Sequence, residues 1–107
     1  MEDINSRWEA LVLKLNDRFD ADMSLKGVLY LIGVQELNMG VGGFSREEKA
    51  SVLHVAVCKL LSSYGFFKFE KIDADGWPHW KEIKPLKNLS PKEQELLMKK
   101  AILEYLN

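Results

Sequence analysis

Apolar residues recur at helical spacing in three stretches of this chain and run together almost without a polar break in a fourth. In the first stretch Ile4, Trp8, Leu11, Val12, Leu15 and Phe19 follow the i, i+3, i+4, i+7 pattern, while Arg7, Glu9, Lys14 and Asp17 fill the opposite face. That arrangement predicts an amphipathic helix with one buried stripe. Ser6 and Glu9 fit the S-x-x-E capping box, and Asp20-Ala-Asp22 interrupts the pattern.

The uninterrupted stretch is Val28 to Val34, apolar on nearly every side. Such a run suits a helix covered all round, and it also suits a buried strand. Its continuation through Gln35-Glu36-Leu37 favours the helix, with Ser24 as the expected N-cap and Gly40 as the expected stop. Ser45-Arg-Glu-Glu48 is a second capping box. It opens a helix whose stripe is Leu53, Ala56, Val57, Leu60, Leu61 and Tyr64, closed by Gly65. Val52 and Val55 lie off that stripe, so its other side is expected to be covered too, by another element or by a second subunit.

The period then changes. Phe66 to Ile72 and Trp77 to Ile83 are short, aromatic arms flanking Asp73-Ala-Asp75-Gly76, and an Asp-Gly step between such arms signals a β-hairpin. With Asp75 and Gly76 as the two central turn residues, Glu70 would face Lys81 as an opposite-charge pair. Pro78 has no N–H for a ladder, which places its strand at an edge or makes it irregular. Ser90-Pro91-Lys92-Glu93 combines an N-cap serine, a first-turn proline and the capping-box glutamate. It opens a last helix with Leu97, Met98, Ala101, Ile102 and Tyr105 inward, broadened by Leu103 and Leu106. The expected fold is therefore mainly α: one domain over residues 1–107, four helices, and one β-hairpin at about 66–84 between helices 3 and 4.

Composition supports that picture and narrows the function classes. With 107 residues, 47% hydrophobic and 29% charged, the chain has the size and balance of a protein folding around one core. The Val28 to Val34 run is far shorter than the roughly 20 residues a membrane span needs. The start Met1-Glu2-Asp3-Ile4-Asn5 lacks the features of a secretory signal, and the single cysteine, Cys58, excludes an internal disulfide or a Cys-x-x-Cys motif. Both point to a cytoplasmic protein.

A net charge of −1 offers no general field for a polyanion, so nucleic acid is disfavoured as a partner. The charges are nonetheless segregated. Glu2, Asp3, Glu9, Asp17, Asp20 and Asp22 dominate the first 22 residues, and Lys81, Lys84, Lys87, Lys92, Lys99 and Lys100 dominate 81 to 100.

Few constellations could carry chemistry. The acidic turn aligns with a calcium loop at Asp73, Asp75 and Glu82, but Lys71 occupies the first ligand position and Pro78 the eighth, so a hairpin turn is the expected role. His54 and Cys58, one helical turn apart, could hold a metal or form a thiolate-imidazole pair, with His79 as a further candidate. A buried thiol beside a partly exposed histidine is the simpler expectation. The loop Gly40 to Gly43 enters a helix, yet it lacks the Lys of a phosphate loop and is followed by Glu47 and Glu48. The element order is shared with winged-helix DNA-binding modules, for which Lys68, Lys71, Lys81 and Lys84 would suit a wing while Glu47 and Glu48 spoil the reading helix.

The densest unusual feature is Trp77-Pro-His79-Trp80 beside Phe66, Phe67 and Phe69. Rings with a polar handle recur at binding surfaces, which makes Trp77, His79 and Trp80 the candidate interaction surface, with Trp77 the ring more expected to be exposed because it adjoins the turn. Small domains usually need their aromatics inside, so the favoured expectation lays these rings onto the helices as core. The Asp73 to Trp80 stretch, with Leu31-Ile-Gly-Val-Gln-Glu36 upstream, resembles a family of small uncharacterised bacterial proteins. That resemblance brings no activity, substrate or site residues. The expected function is a non-enzymatic module that docks a protein partner or self-associates, without cofactor or metal. The alternatives are an enzyme or small-ligand binder using His54, Cys58 and His79, or a winged-helix-like DNA-binding protein.

Overall fold

The computed structural model describes residues 3–19, 23–38 and 44–106. Four helices, α1 (Ile4–Phe19), α2 (Leu25–Leu37), α3 (Arg46–Ser62) and α4 (Pro91–Leu106), are joined by one antiparallel hairpin, β1 (Phe67–Ile72) with β2 (Pro78–Glu82), between α3 and α4. A single turn of 3-10 helix, Leu86–Asn88, leads into α4. This is the mainly α, hairpin-bearing domain that the periodicities predict. No helix among the described residues is long and apolar enough to cross a membrane.

The helix starts follow their capping chemistry, with one correction. Ser24 Oγ accepts from the Gly27 amide at 3.2 Å, and the boxes Ser45–Glu48 and Ser90–Glu93 each close in both directions at 2.9 and 3.1 Å. The expected Ser6–Glu9 box does not form, because α1 begins a turn earlier: Asp3 Oδ1 accepts from the Ser6 amide at 2.7 Å. An aspartate caps as well as a serine, and the earlier start brings half-buried Ile4 into the helix. At its other end α2 stops at Leu37, where Asn38 adopts φ 54° and donates its N–H to the Val34 carbonyl. The expected stop at Gly40, the Asp20 to Asp22 break and the Gly40 to Gly43 loop lie outside the described residues.

Helix α3 is the centre of the domain, contacting α2, β1 and α4, while α1 packs on α4. The main core draws Trp8 from α1, Val28 and Ile32 from α2, Leu61 from α3, Phe67 from β1 and Ile102 from α4. Fully burying such side chains stabilises by about 1.5–3 kcal/mol each. Val52 and Val55, the residues off the α3 stripe, are buried in a smaller cluster with Val34 and Leu37, flanked by Tyr30, Phe44 and Trp77. The second side of α3 is thus covered by elements of its own chain.

The α2–α3 contact is closed down to the backbone. A Cβ at Gly33 would stand 2.2 Å from the Val52 carbonyl oxygen, so only glycine fits. Further along, Lys59 Nζ lies 3.9 Å from Glu36 Oε1. Contacts therefore run in the same order along both helices, which travel in the same sense across this interface. Tyr105 of α4 donates its hydroxyl to Glu36, and burial together with that carboxylate pushes the phenol up to about 12.

The hairpin register differs from the expected one. Asp73 and Gly76 close a turn at 3.0 Å (Gly76 N–H to Asp73 carbonyl), and the Asp73 amide donates to the Trp77 carbonyl at 2.9 Å. Asp73 Oδ1 also accepts from the Asp75 and Trp77 amides, at 2.9 and 3.0 Å, and Gly76 takes φ 90°. The loop thus has three residues rather than two, with the left-handed position supplied by glycine. A separate bulge between Phe69 and Lys71 leaves Glu70 as the extra residue, so that Lys81 faces Lys68 instead of Glu70. Both strands are edges, as Pro78 requires.

Candidate functional site

The base of the hairpin is fastened firmly to the end of α3. Gly65, at φ 82°, turns the chain, the Phe66 amide donates to Leu61, and the Ile83 amide returns to the Phe66 carbonyl at 2.7 Å. Lys84 Nζ donates to the Tyr64 carbonyl at 3.2 Å and lies 5.0 Å above the Phe66 ring. Toward its tip the Phe69 and Ile72 side of β1 stands off the helices. Phe69 and Ile72 remain 47% and 63% exposed, and a groove of about 440 Å3 separates them from Leu37 and Val55.

On the other side of the hairpin, a groove of about 460 Å3 lies between β2 and the first half of α3. Its hairpin wall is Asp73, Trp77, Pro78, His79 and Trp80, and its helix wall is Glu47, Glu48, Ser51, His54 and Val55. All three candidate interaction residues, Trp77, His79 and Trp80, therefore line one depression, and His54 joins them. The helix wall follows from spacing, since 47, 51, 54 and 55 fall on one face of a helix.

Each ring is held differently. Trp77 is half-buried in the smaller cluster and meets Phe44 edge to face at 6.1 Å, so even the ring more expected to be exposed packs onto the helices. The turn folds it back because its backbone N–H and C=O are both bound by Asp73. Trp80 is half-buried against the main core, edge to face with Phe69 at 5.4 Å, and its indole N–H is buried without a partner among the described residues. His79 is exposed, with Nε2 2.8 Å from Asp73 Oδ2. That bond, then the Trp77 amide, holds the Asp73 carboxyl below its ordinary range.

His54 and Cys58 do meet, at 3.4 Å, and His54 packs edge to face on Phe67 at 6.2 Å. Cys58 is wholly buried, and burial, with a smaller contribution from the Glu82 carboxylate, pushes its thiol up to about 12. It is a core thiol beside an exposed histidine, as the simpler expectation had it, and at neutral pH it is not a thiolate. Among the described residues no hydroxyl or thiol is bonded to His79, and no three His, Cys, Asp or Glu side chains converge as a metal site. The acidic turn spends Asp73 on its own backbone and on His79.

Comparison with protein-family models, with curated proteins and with solved structures yields no match, so the site is read from its own geometry. The residues that sequence reasoning missed are Glu47, Glu48, Ser51 and Asp73 as groove walls. Their sequence roles in capping and turning were correct, and the signal for more was the shared face of Glu47, Ser51 and His54.

Chemically, the groove pairs two indoles with three carboxylates and contains no lysine or arginine. Glu48 is engaged in its capping box and Asp73 with His79, which leaves Glu47 as the carboxylate without a side-chain bond among the described residues. Aromatic faces beside carboxylates favour a cation.

Proposed function

We propose that this chain is a protein-interaction module that receives a lysine or arginine side chain of a partner protein in the groove between α3 and the hairpin. One observation carries the reading: Trp77, His79 and Trp80 share that groove with Glu47, Glu48 and Asp73, and no cationic Lys or Arg lines it. A guanidinium or ammonium group entering there finds ring faces and carboxylates together, a combination worth more than either alone when water is partly displaced. The exposed Phe69 and Ile72 across the hairpin extend the apolar area a partner can cover.

The reading is tested by tryptophan fluorescence titration with short arginine- and lysine-bearing peptides and with glutamate-bearing controls. Saturable change with the basic peptides only is expected. The doubly substituted Glu47→Gln, Glu48→Gln chain, which keeps a capping-box residue at position 48, should bind at least about tenfold more weakly, the loss of roughly 1.4 kcal/mol. No saturable response to any basic peptide sinks the proposal. Light scattering in the same buffer distinguishes docking of a separate partner from self-association.

A further inference from the structure

The opposite flank of α3 carries the opposite charge. A groove of about 700 Å3 lies between the starts of α2 and α3, lined by Lys26, Arg46 and Lys49 together with Tyr30 and Leu53. Among the described residues no carboxylate lines it, and no Asp or Glu comes within ion-pair distance of any of the three cations. Arg46 and Lys49 point one way around α3 while Glu47 and Glu48 line the other groove, so the charges of one helical turn are sorted by flank. Because α2 and α3 run in the same sense, their positive ends also lie on this side, adding to the potential made by the side chains.

We propose that this second groove binds a small phosphorylated molecule, with Arg46, Lys49 and Lys26 on the phosphate and Tyr30 and Leu53 against an apolar or ring portion. The proposal is independent of the function assigned to the acidic groove. Three like charges around one depression repel each other, and a multiply charged anion relieves that repulsion; arginine adds a planar fork matched to phosphate oxygens. A small anion fits better than a nucleic-acid strand, since Lys26, Arg46 and Lys49 gather in one depression, Glu47 and Glu48 stand on the same helical turn, and the whole chain carries a net charge of −1. The volume accommodates a phosphate with a ring beside it, and Tyr30, half-buried against the smaller cluster, offers its ring from a fixed position.

The experiment is an amide NMR titration of the full chain with phenyl phosphate, and separately with inorganic phosphate, at fixed ionic strength. Saturable shifts confined to residues 24–30 and 46–53, with phenyl phosphate binding at least about tenfold tighter than phosphate, are the expected result. Arg46→Gln with Lys49→Gln, both exposed positions, should abolish saturation while leaving the remaining spectrum in place. Shifts that rise linearly, or that spread over the lysines of α4, overturn the site. Equal affinity for the two compounds overturns the part given to Tyr30 and Leu53. If the double variant loses its native spectrum, the location of the wild-type shifts alone decides.

Discussion

Helix α3 is held by two contacts of different quality. Against α2 the backbones meet, with Gly33 seated on the Val52 carbonyl, and nothing larger than hydrogen fits between them. Against the hairpin the contact is made by side chains, tight at Phe67 and loosening toward Ile72, with a groove on either side of it. The first contact is explained fully by folding. The second leaves polar chemistry at a depth that solvent still reaches, and that is where the indoles, histidines and carboxylates gather.

Cys58 reports on whether the hairpin contact stays shut at its tight end. It lies beside His54, whose ring meets Phe67, and it is wholly buried. A thiol pushed from 9.0 to about 12 has roughly 1000-fold less thiolate at any pH below both values. Alkylation of the native chain at pH 8 is therefore expected to run at least about 1000-fold slower than in denaturant. A native rate within tenfold of the unfolded one would show that β1 lifts from α3 routinely, and the distinction between a closed start of β1 and its exposed Phe69 and Ile72 would fail.

Gly33→Ala tests the other contact. The added methyl collides with backbone rather than with the end of a flexible side chain, and overpacking of this kind costs about 3 kcal/mol or more. Thermal unfolding should fall by roughly 12 °C or more. Gly27→Ala on the same helix is the control. There the nearest atom is Met23 Sδ at 3.2 Å, a side-chain end that can move, and the gain in helix propensity, up to about 1 kcal/mol, offsets the crowding. Equal effects of the two substitutions would remove the case for a backbone-closed interface.

The same contrast explains what could be read in the sequence. The stripes of α1, α3 and α4 and the all-round apolar run of α2 were legible because helical burial depends on local period, and the Ser45 and Ser90 boxes because capping is local chemistry. The hairpin was legible as an element, but its register was not. Two loop lengths suit Asp73-Ala-Asp75-Gly76 equally well by composition, and the choice rests on the Asp73 carboxylate collecting two amides and His79. The site was half legible. Trp77, His79 and Trp80 stood out by type, whereas their partners on α3 depend on where the hairpin lands across the helix, which no local pattern encodes. The basic groove was missed because its cations come from two helices 20 residues apart and balance to nothing in the chain total.

Acid should separate the two contacts by a smaller effect. Asp73 has its carboxyl held below the ordinary carboxylate range, chiefly by His79 and then by the Trp77 amide. A group lowered in the folded state contributes stability that is complete above its unfolded value, near 3.9, and is lost as pH falls through the lower folded value. The contribution of the Asp73 carboxylate is therefore complete above its unfolded value and is lost below about 4, as it protonates and its bonds to the Asp75 and Trp77 amides weaken. Amide NMR should show Trp77, Asp75 and His79 moving together in that range while Gly33 and Val52 stay in place. In Asp73→Asn the side-chain oxygen still accepts from the turn amides but no longer titrates, so the acid shift of Trp77 should disappear. If Trp77 shifts as before in that variant, or if Val52 moves in step with it, the turn does not act through Asp73 and the hairpin does not respond separately from the α2–α3 pair.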